Sequence, residues 1–396
     1  MKEERIWNKG FTSAAATCTL SAIGFYMLIP TIPLFLVSLG TAESQVGMVA
    51  TTFYISSIST RFLINAVLAK VGKKRILIAG LLLSTIAMAL YSLVGSVGAA
   101  TALRVIQGMG LGIATTITTT MAADFLPDSR RGQGLGYFNI GIVVAMTIGP
   151  ALALYLRNDY GFMPMFLVAA GTNLLSAITV LLFTDEPRIT KAQPQDRREE
   201  KEKAIQWRFL FDRKLIVPSA IVLLFGICRS VDLNYIALFA EAKALEHLSL
   251  YFIIQTATMF CIRLVVGRFA DRKGRNWVLI PGGLAMLATQ ITLSFADTSA
   301  VMLLGAFFSG LGVGVLAPNL QVWMLSVIEP EKRNVASASY YSFMDTGSAI
   351  GAPLMGLMAE NFGYTVMFRI GACAALLYII AYIAIGREKK TLNIDR

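Results

Sequence analysis

Seven polar or charged residues stand where apolar runs should exclude them: Arg61, Arg104, Gln107, Arg229, Asp232, Arg263 and Asp345. Charge set among apolar residues is costly, so it persists where it faces a partner, a wet cavity or a proton path. Asp345 lies in Phe343-Met-Asp345-Thr-Gly347 and is a candidate for proton or substrate handling. A salt bridge to Arg229 or Arg263 is the structural alternative. Asp232 falls one helical turn from Arg229, a spacing that permits an ion pair within one helix or a cavity pair that substrate opens. Arg104 and Gln107 share a helix face by the same spacing. Covalent chemistry has little to work with. The single histidine, His247, falls at a loop edge, and Cys18, Cys228, Cys261 and Cys373 lie in apolar runs without metal-ligand spacing. No nucleotide-binding Gly-x-x-x-x-Gly-Lys-Ser/Thr is present. An enzyme, a metal site, a cofactor and a disulfide framework are not expected.

The elements that must position these residues are long. Of 396 residues, 56% are hydrophobic and only 15% charged, against about 25% charge in an ordinary soluble domain. Apolar stretches recur at lengths near the ~20 residues that span a bilayer as a helix. They predict an all-α membrane protein with twelve transmembrane helices, over 12–38, 45–69, 76–95, 98–123, 134–156, 163–184, 215–240, 248–269, 277–296, 299–327, 335–358 and 364–386. The first run is too long for a signal-peptide core and reads as a retained helix. Residues 185–214 are hydrophilic and read as a cytoplasmic linker between a domain over 1–184 and a second over 215–396. Lys and Arg fall unevenly: 28 lie on one side of this topology, Arg157 and Lys243 on the other, and five within helices. The positive-inside rule then places both termini in the cytoplasm. The net charge of +11 is thus a topology signal and not a nucleic-acid footprint.

The two domains align without gaps at a shift of 202 residues. Arg61 maps to Arg263, Gly72 to Gly274, Gly108 to Gly310, Gly149 to Gly351 and Gly161 to Gly363. Two pseudo-symmetric six-helix bundles follow, with a solute site between them near the bilayer midplane. After the eighth helix stands Gly267-Arg-Phe-Ala-Asp271-Arg272-Lys-Gly274-Arg275. This resembles the loop motif Gly-x-x-x-Asp-Arg-x-Gly-Arg of the major facilitator superfamily. The first-domain copy departs from it, with Asn65 for the glycine and Ala69 for the aspartate. Arg104-Val-Ile-Gln107-Gly108 is similar to the Arg-x-x-Gln-Gly of proton-coupled members. Gly149-Pro150 is similar to part of the antiporter motif, although Ala145, Ala153 and Leu154 replace its other glycines. With Pro30 and Pro33 in the first helix, the chain resembles the drug:proton antiporter branch.

That resemblance implies a multi-pass, monomeric secondary transporter that exchanges a small organic solute for protons. It implies proton coupling at Arg104 and a conformational latch at Gly267, Asp271, Arg272, Gly274 and Arg275. Arg61 and Arg263 are expected to snorkel or to cap contacts between the domains. Gly108, Gly149, Pro150 and Gly351 are expected to serve gating or close helix packing. The threonines at 115, 116, 118, 119 and 120 could wet a cavity, but bonding to their own helix is the favoured reading. An exporter or importer of one metabolite, such as a sugar, metallophore or amino-acid derivative, is the alternative. A receptor is disfavoured, because no loop exceeds about 30 residues among the apolar spans. Compact loops suggest a bacterial inner membrane.

Overall fold

In lipid, a backbone amide left unpaired costs several kcal/mol, and an α-helix pairs nearly all of them within itself. A computed structural model describes residues 6–127, 130–184, 213–329 and 333–386, and these are helical along almost their whole length. The first group of helices is α1 (Lys9–Ser38), α2 (Glu43–Val71), α3 (Lys73–Leu90), α4 (Val97–Asp124), α5 (Arg131–Tyr160) and α6 (Phe162–Phe183). The second group is α7 (Arg213–Ala242), α8 (Leu248–Lys273), α9 (Asn276–Ser294), α10 (Ser299–Ser326) and α11 (Arg333–Ala381). Residues 185–212 of the expected linker lie outside the described residues. Ten helical stretches among the described residues are long and apolar enough to cross a membrane. α2 is as long as its neighbours, but Arg61 and a run of Ser and Thr lower its hydropathy. The stretch α11 holds two helices that meet at a kink, where Gly363 is non-helical at φ 79°, ψ 166°.

The same local devices recur 202 residues apart. Ser96 caps α4 by accepting from the Ala99 amide, and Thr298 caps α10 by accepting from that of Val301. Such a cap satisfies one of the free amides at a helix start. Gly72 ends α2 at φ 91° and Gly274 ends α8 at φ 88°, a region that glycine enters without a Cβ penalty. Gly161 separates α5 from α6 at φ 88°, matching the break at Gly363. Helix crossings repeat as well. A Cβ on Gly108 would lie 2.4 Å from the Phe53 carbonyl of α2, and one on Gly310 2.4 Å from the Gln255 carbonyl of α8. Gly110 meets Ser84 of α3, and Gly312 meets Met286 of α9. Each partner pair differs by the same 202 residues, so both helix crossings are set by backbone-to-backbone approach at glycine.

Between the groups, α2 lies along α11, α5 along α8 and α1 along α7. The short connections make successive helices antiparallel, so the bundle has a terminal face, where α1 begins, and a far face, where it ends. Towards the far face one apolar cluster joins both groups, with Met27, Leu36 and Phe166 packed together with Tyr235, Phe239 and Met355. Towards the terminal face the fully buried cores are separate, with Val143 and Met146 of α5 packing against the second from the first group. Leu81, Ile117 and Val180 pack in the first group, and Leu279, Leu320 and Tyr378 in the second. Polar contacts close the far face. Arg157 grips Glu241 through two hydrogen bonds of 2.9 and 3.1 Å. Tyr364 donates to Glu43 at 3.2 Å, and the Ser44 amide donates to Glu360 at 3.2 Å.

Candidate functional site

A narrow cavity lies where α1, α5, α7, α8 and α10 converge. Tyr26 and Pro150 reach it from the first group, and Arg229, Asp232, Tyr251 and Gln255 from the second. It has room for about two or three water molecules in this conformation. Asp232 is buried, and its Oδ2 accepts from Ser309 Oγ at 2.7 Å and from Gln255 Nε2 at 3.4 Å. Gln255 Nε2 also donates to Ser309 at 2.7 Å, which ties α7, α8 and α10 together through one carboxylate. The Oδ1 of Asp232 has no partner among the described residues. The ion pair within one helix that the Arg229–Asp232 spacing permits is not formed. Asp232 turns to the hydroxyl and amide of neighbouring helices, and Arg229 makes no hydrogen bond or salt bridge among the described residues. Gln255 and Ser309 were not among the sequence candidates. The signal that could have found them is an uncharged polar residue in an otherwise apolar stretch, and such residues are too common to single out.

Asp345 does not pair with Arg229 or Arg263. Its Oδ2 accepts from Arg61 Nη1 at 2.7 Å across the α2–α11 seam, with both side chains largely shielded. The Arg61 guanidinium also lies over the Tyr341 ring at 5.5 Å. The sequence places Arg61 and Asp345 284 positions apart, so only the packing of α2 on α11 brings them together. Nearby on the seam, Thr51 donates to the Ala349 carbonyl at 2.8 Å and Tyr235 to that of Ala352 at 2.5 Å. Arg104 donates to Gln107 at 3.1 Å and lies over the Phe53 ring at 5.2 Å. Arg104 Nε and Gln107 Nε2 are buried without partners among the described residues. The threonines at 115, 116, 118, 119 and 120 bond carbonyls of their own helix.

Of the motif residues after α8, Arg275 bonds to described residues of its own group. Arg275 donates to the Gly386 carbonyl at 2.9 Å and to Tyr382 at 3.3 Å, and it stacks on Trp323 at 4.1 Å. A cation there satisfies carbonyls left free at a helix C-terminus. In the first group Lys74 does the same, donating to the Leu181 and Thr184 carbonyls at 3.1 and 2.6 Å. Lys73 instead pairs with Asp124 at 2.5 Å. Arg272 is exposed, a Cβ on Gly267 would meet open space, and the Asp271 side chain lies outside the described residues. Gly149 contacts Tyr26 and Ile23 of α1 beside Pro150, and Gly351 contacts Ser230 and Ile227 of α7. Arg263 forms no hydrogen bond among the described residues, and its Nε is closed off from solvent.

Long apolar helices around a narrow internal cavity, lined from both halves of the chain, define a multi-pass membrane protein. The Major Facilitator Superfamily model matches residues 14–274 and 244–395, and the chain belongs to that family. The chain is 25% identical to the multidrug resistance protein MdtG of Citrobacter koseri, over 98% of its own length and 97% of that protein. It is likewise 25% identical to MdtG of Serratia proteamaculans, over 93% and 92% of the two chains. Among solved structures it resembles the nucleoside transporter NupG with a TM-score of 0.75, at 13% identity, covering 97% of this chain and 100% of that one. It resembles the human organic anion transporter MFSD10 with a TM-score of 0.68, at 16% identity, over 94% and 98%. These relatives are transporters and not enzymes, and the chain resembles the drug-efflux branch of the family.

Proposed function

We propose that the chain is a secondary active transporter that moves small organic, drug-like solutes outward in exchange for protons by alternating access. The observation that carries this reading is the cavity itself. Its walls come from both halves of the chain, and ionisable groups sit in it and along its seam. On this reading there are twelve transmembrane helices, with α2 counted and α11 divided at Gly363 as α5 and α6 are divided at Gly161. They form two six-helix bundles, 1–184 and 215–396, joined by a cytoplasmic linker. The recurrence of caps, turns and glycine crossings at one fixed offset supports that division. With both termini in the cytoplasm of a bacterial cell, the closed far face is external and the conformation faces inward. Arg61–Asp345 lies on the moving seam, and Arg104–Gln107 and Asp232 are candidates for coupling or substrate contact. The protein acts as a monomer.

The test uses purified protein in liposomes with a trapped pH-sensitive dye, a proton gradient and a panel of amphipathic organic compounds. Substrate-dependent proton flux is expected from the wild type and is expected to disappear in Asp345→Asn and Arg104→Ala. Substrate movement without proton flux would overturn proton exchange and leave a uniporter or another coupling ion.

A further inference from the structure

The cavity between α1, α5, α7, α8 and α10 is too small for an organic solute in this conformation, yet its walls carry polar atoms that the protein leaves unused. Asp232 is 4% exposed and Tyr251 is fully buried. Both residues line the cavity, and Asp232 Oδ1 and Tyr251 Oη have no hydrogen-bond partner among the described residues. The other carboxylate oxygen is treated differently. Ser309 has one hydroxyl proton. Gln255 Nε2 donates to the Ser309 oxygen at 2.7 Å, and the Ser309 hydroxyl donates to Asp232 Oδ2 at 2.7 Å. A longer donation from Gln255 reaches the same Oδ2 at 3.4 Å. Both donors from the neighbouring helices thus serve one oxygen, and the second oxygen is left without one. The matching crossing of the first group is also polar. At the 202-residue offset Ser309 is the mate of Gln107, and Gln255 is the mate of Phe53, over which Arg104 lies at 5.2 Å. The two groups therefore place a cation and an acid at equivalent helix crossings.

We propose that Asp232 Oδ1 binds the coupling proton, that Tyr251 and Arg229 hold the waters that deliver it, and that Ser309 and Gln255 are positioning residues. The proposal rests on the proton-exchange reading above and gives it a residue. Room for two or three waters suits such a path. A buried water needs polar partners, and Asp232 Oδ1, Tyr251 Oη and the Arg229 guanidinium supply them. A hydronium in the cavity passes its proton to Oδ1, which leaves a water and a neutral carboxylic acid, and release reverses the step. The site is poised between two costs. An ionised Oδ1 lacks donors in an apolar interior, and a neutral acid gives up its attraction to Arg229, one turn away. Around Asp232 stand Arg229 and Cys228 on its own helix, Tyr251 on α8 and Tyr26 on α1. The α5 residues of the lining, Met146 and Pro150, and Val313 of α10 are apolar, and Asp345 of α11 is engaged by Arg61. Asp232 is therefore the one carboxylate of the cavity. A hard metal cation is a poorer occupant, because it takes about six or more oxygen ligands and Arg229 shares the lining.

Infrared spectroscopy of the protein in lipid nanodiscs reads a protonated carboxyl through its C=O stretch and needs no substrate. A carboxyl in a water-poor site stretches at higher frequency than one in water, so it stands apart from the surface acids. Acidification is expected to raise a high-frequency band in the wild type and in Asp345→Asn, and to raise none in Asp232→Asn. Ser309→Ala removes the shortest hydrogen bond to the ionised carboxylate. It is expected to bind the proton roughly tenfold more tightly, which moves the midpoint of the band by about one pH unit. The pH profile of substrate-driven proton flux in proteoliposomes should move with it, a change that a packing defect alone would not produce. Tyr251→Phe should keep the band and slow the flux severalfold. A high-frequency band that persists in Asp232→Asn, or a flux profile that stays in place in Ser309→Ala, would overturn the assignment and leave the transporter reading standing. If the wild type shows no substrate-driven proton flux, proton exchange fails and this assignment fails with it.

Discussion

Arg61 and Asp345 meet at 2.7 Å with side chains only 16% and 12% exposed, so their attraction is screened less than that of a surface pair. The first-group loop lacks the aspartate of the family motif, with Ala69 in its place, and this pair supplies a charged contact between the groups about two turns away on the same helix. Removing one partner leaves the other buried and uncompensated, which costs more than the pair itself contributes. A double-mutant cycle with Arg61→Ala and Asp345→Asn should therefore give a coupling of about 1–3 kcal/mol. Unfolding by denaturant in mixed micelles measures it, and strictly additive single-mutant effects would sink the idea.

At the scale of elements, glycine decides how closely helices cross. Gly108 and Gly310 each present a site where an added Cβ would reach a backbone carbonyl at 2.4 Å. A carbonyl cannot rotate away as a side chain can, so the helices would have to separate. Gly108→Ala and Gly310→Ala should each destabilise by about 1–3 kcal/mol, the usual range for forcing extra atoms into a packed contact. Gly171 of α6 meets nothing within 4 Å, so Gly171→Ala should be neutral or stabilising by up to about 1 kcal/mol through helix propensity alone. Thermal unfolding of the three variants decides this, and equal losses in all of them would refute the crossing argument. The recurrence of the crossing 202 residues later makes a second forecast. The two alanine variants at 108 and 310 should behave alike, although their neighbours share little side-chain identity.

For the whole molecule, the proposed alternating access makes the separate cores at the terminal face and the joined core at the far face one end of a rocking motion. Interfaces that must open keep polar clamps, which exchange with water at lower cost than a large apolar seal. Arg157–Glu241 is such a clamp, and Glu241 remains 53% exposed. Arg157→Cys with Glu241→Cys, in a background where Cys261 and Cys373 are serine, should accept a short thiol-specific cross-linker. Transport should stop on cross-linking and return on reduction. Undiminished transport by the bridged protein would show that this face need not open.

Much of this was legible in the residues alone. Apolar runs of spanning length, punctuated by Gly72, Gly161, Gly274 and Gly363, marked where helices start and stop, because backbone pairing in lipid leaves few alternatives and a positive φ favours glycine. The fixed offset of 202 residues marked matching crossings before any crossing was seen, since repeated sequence implies repeated local geometry. The charged residues of the interior were also visible, because a charge inside an apolar stretch declares itself. Their pairing was not visible. Spacing along one helix suggested Arg229 with Asp232, yet Asp232 bonds Gln255 and Ser309 from two other helices, and Asp345 takes Arg61 from a helix 284 positions away. Local sequence sets which atoms a helix displays on each face. Which of those atoms come within hydrogen-bonding distance depends on how the helices are docked, and that is a property of the folded bundle as a whole.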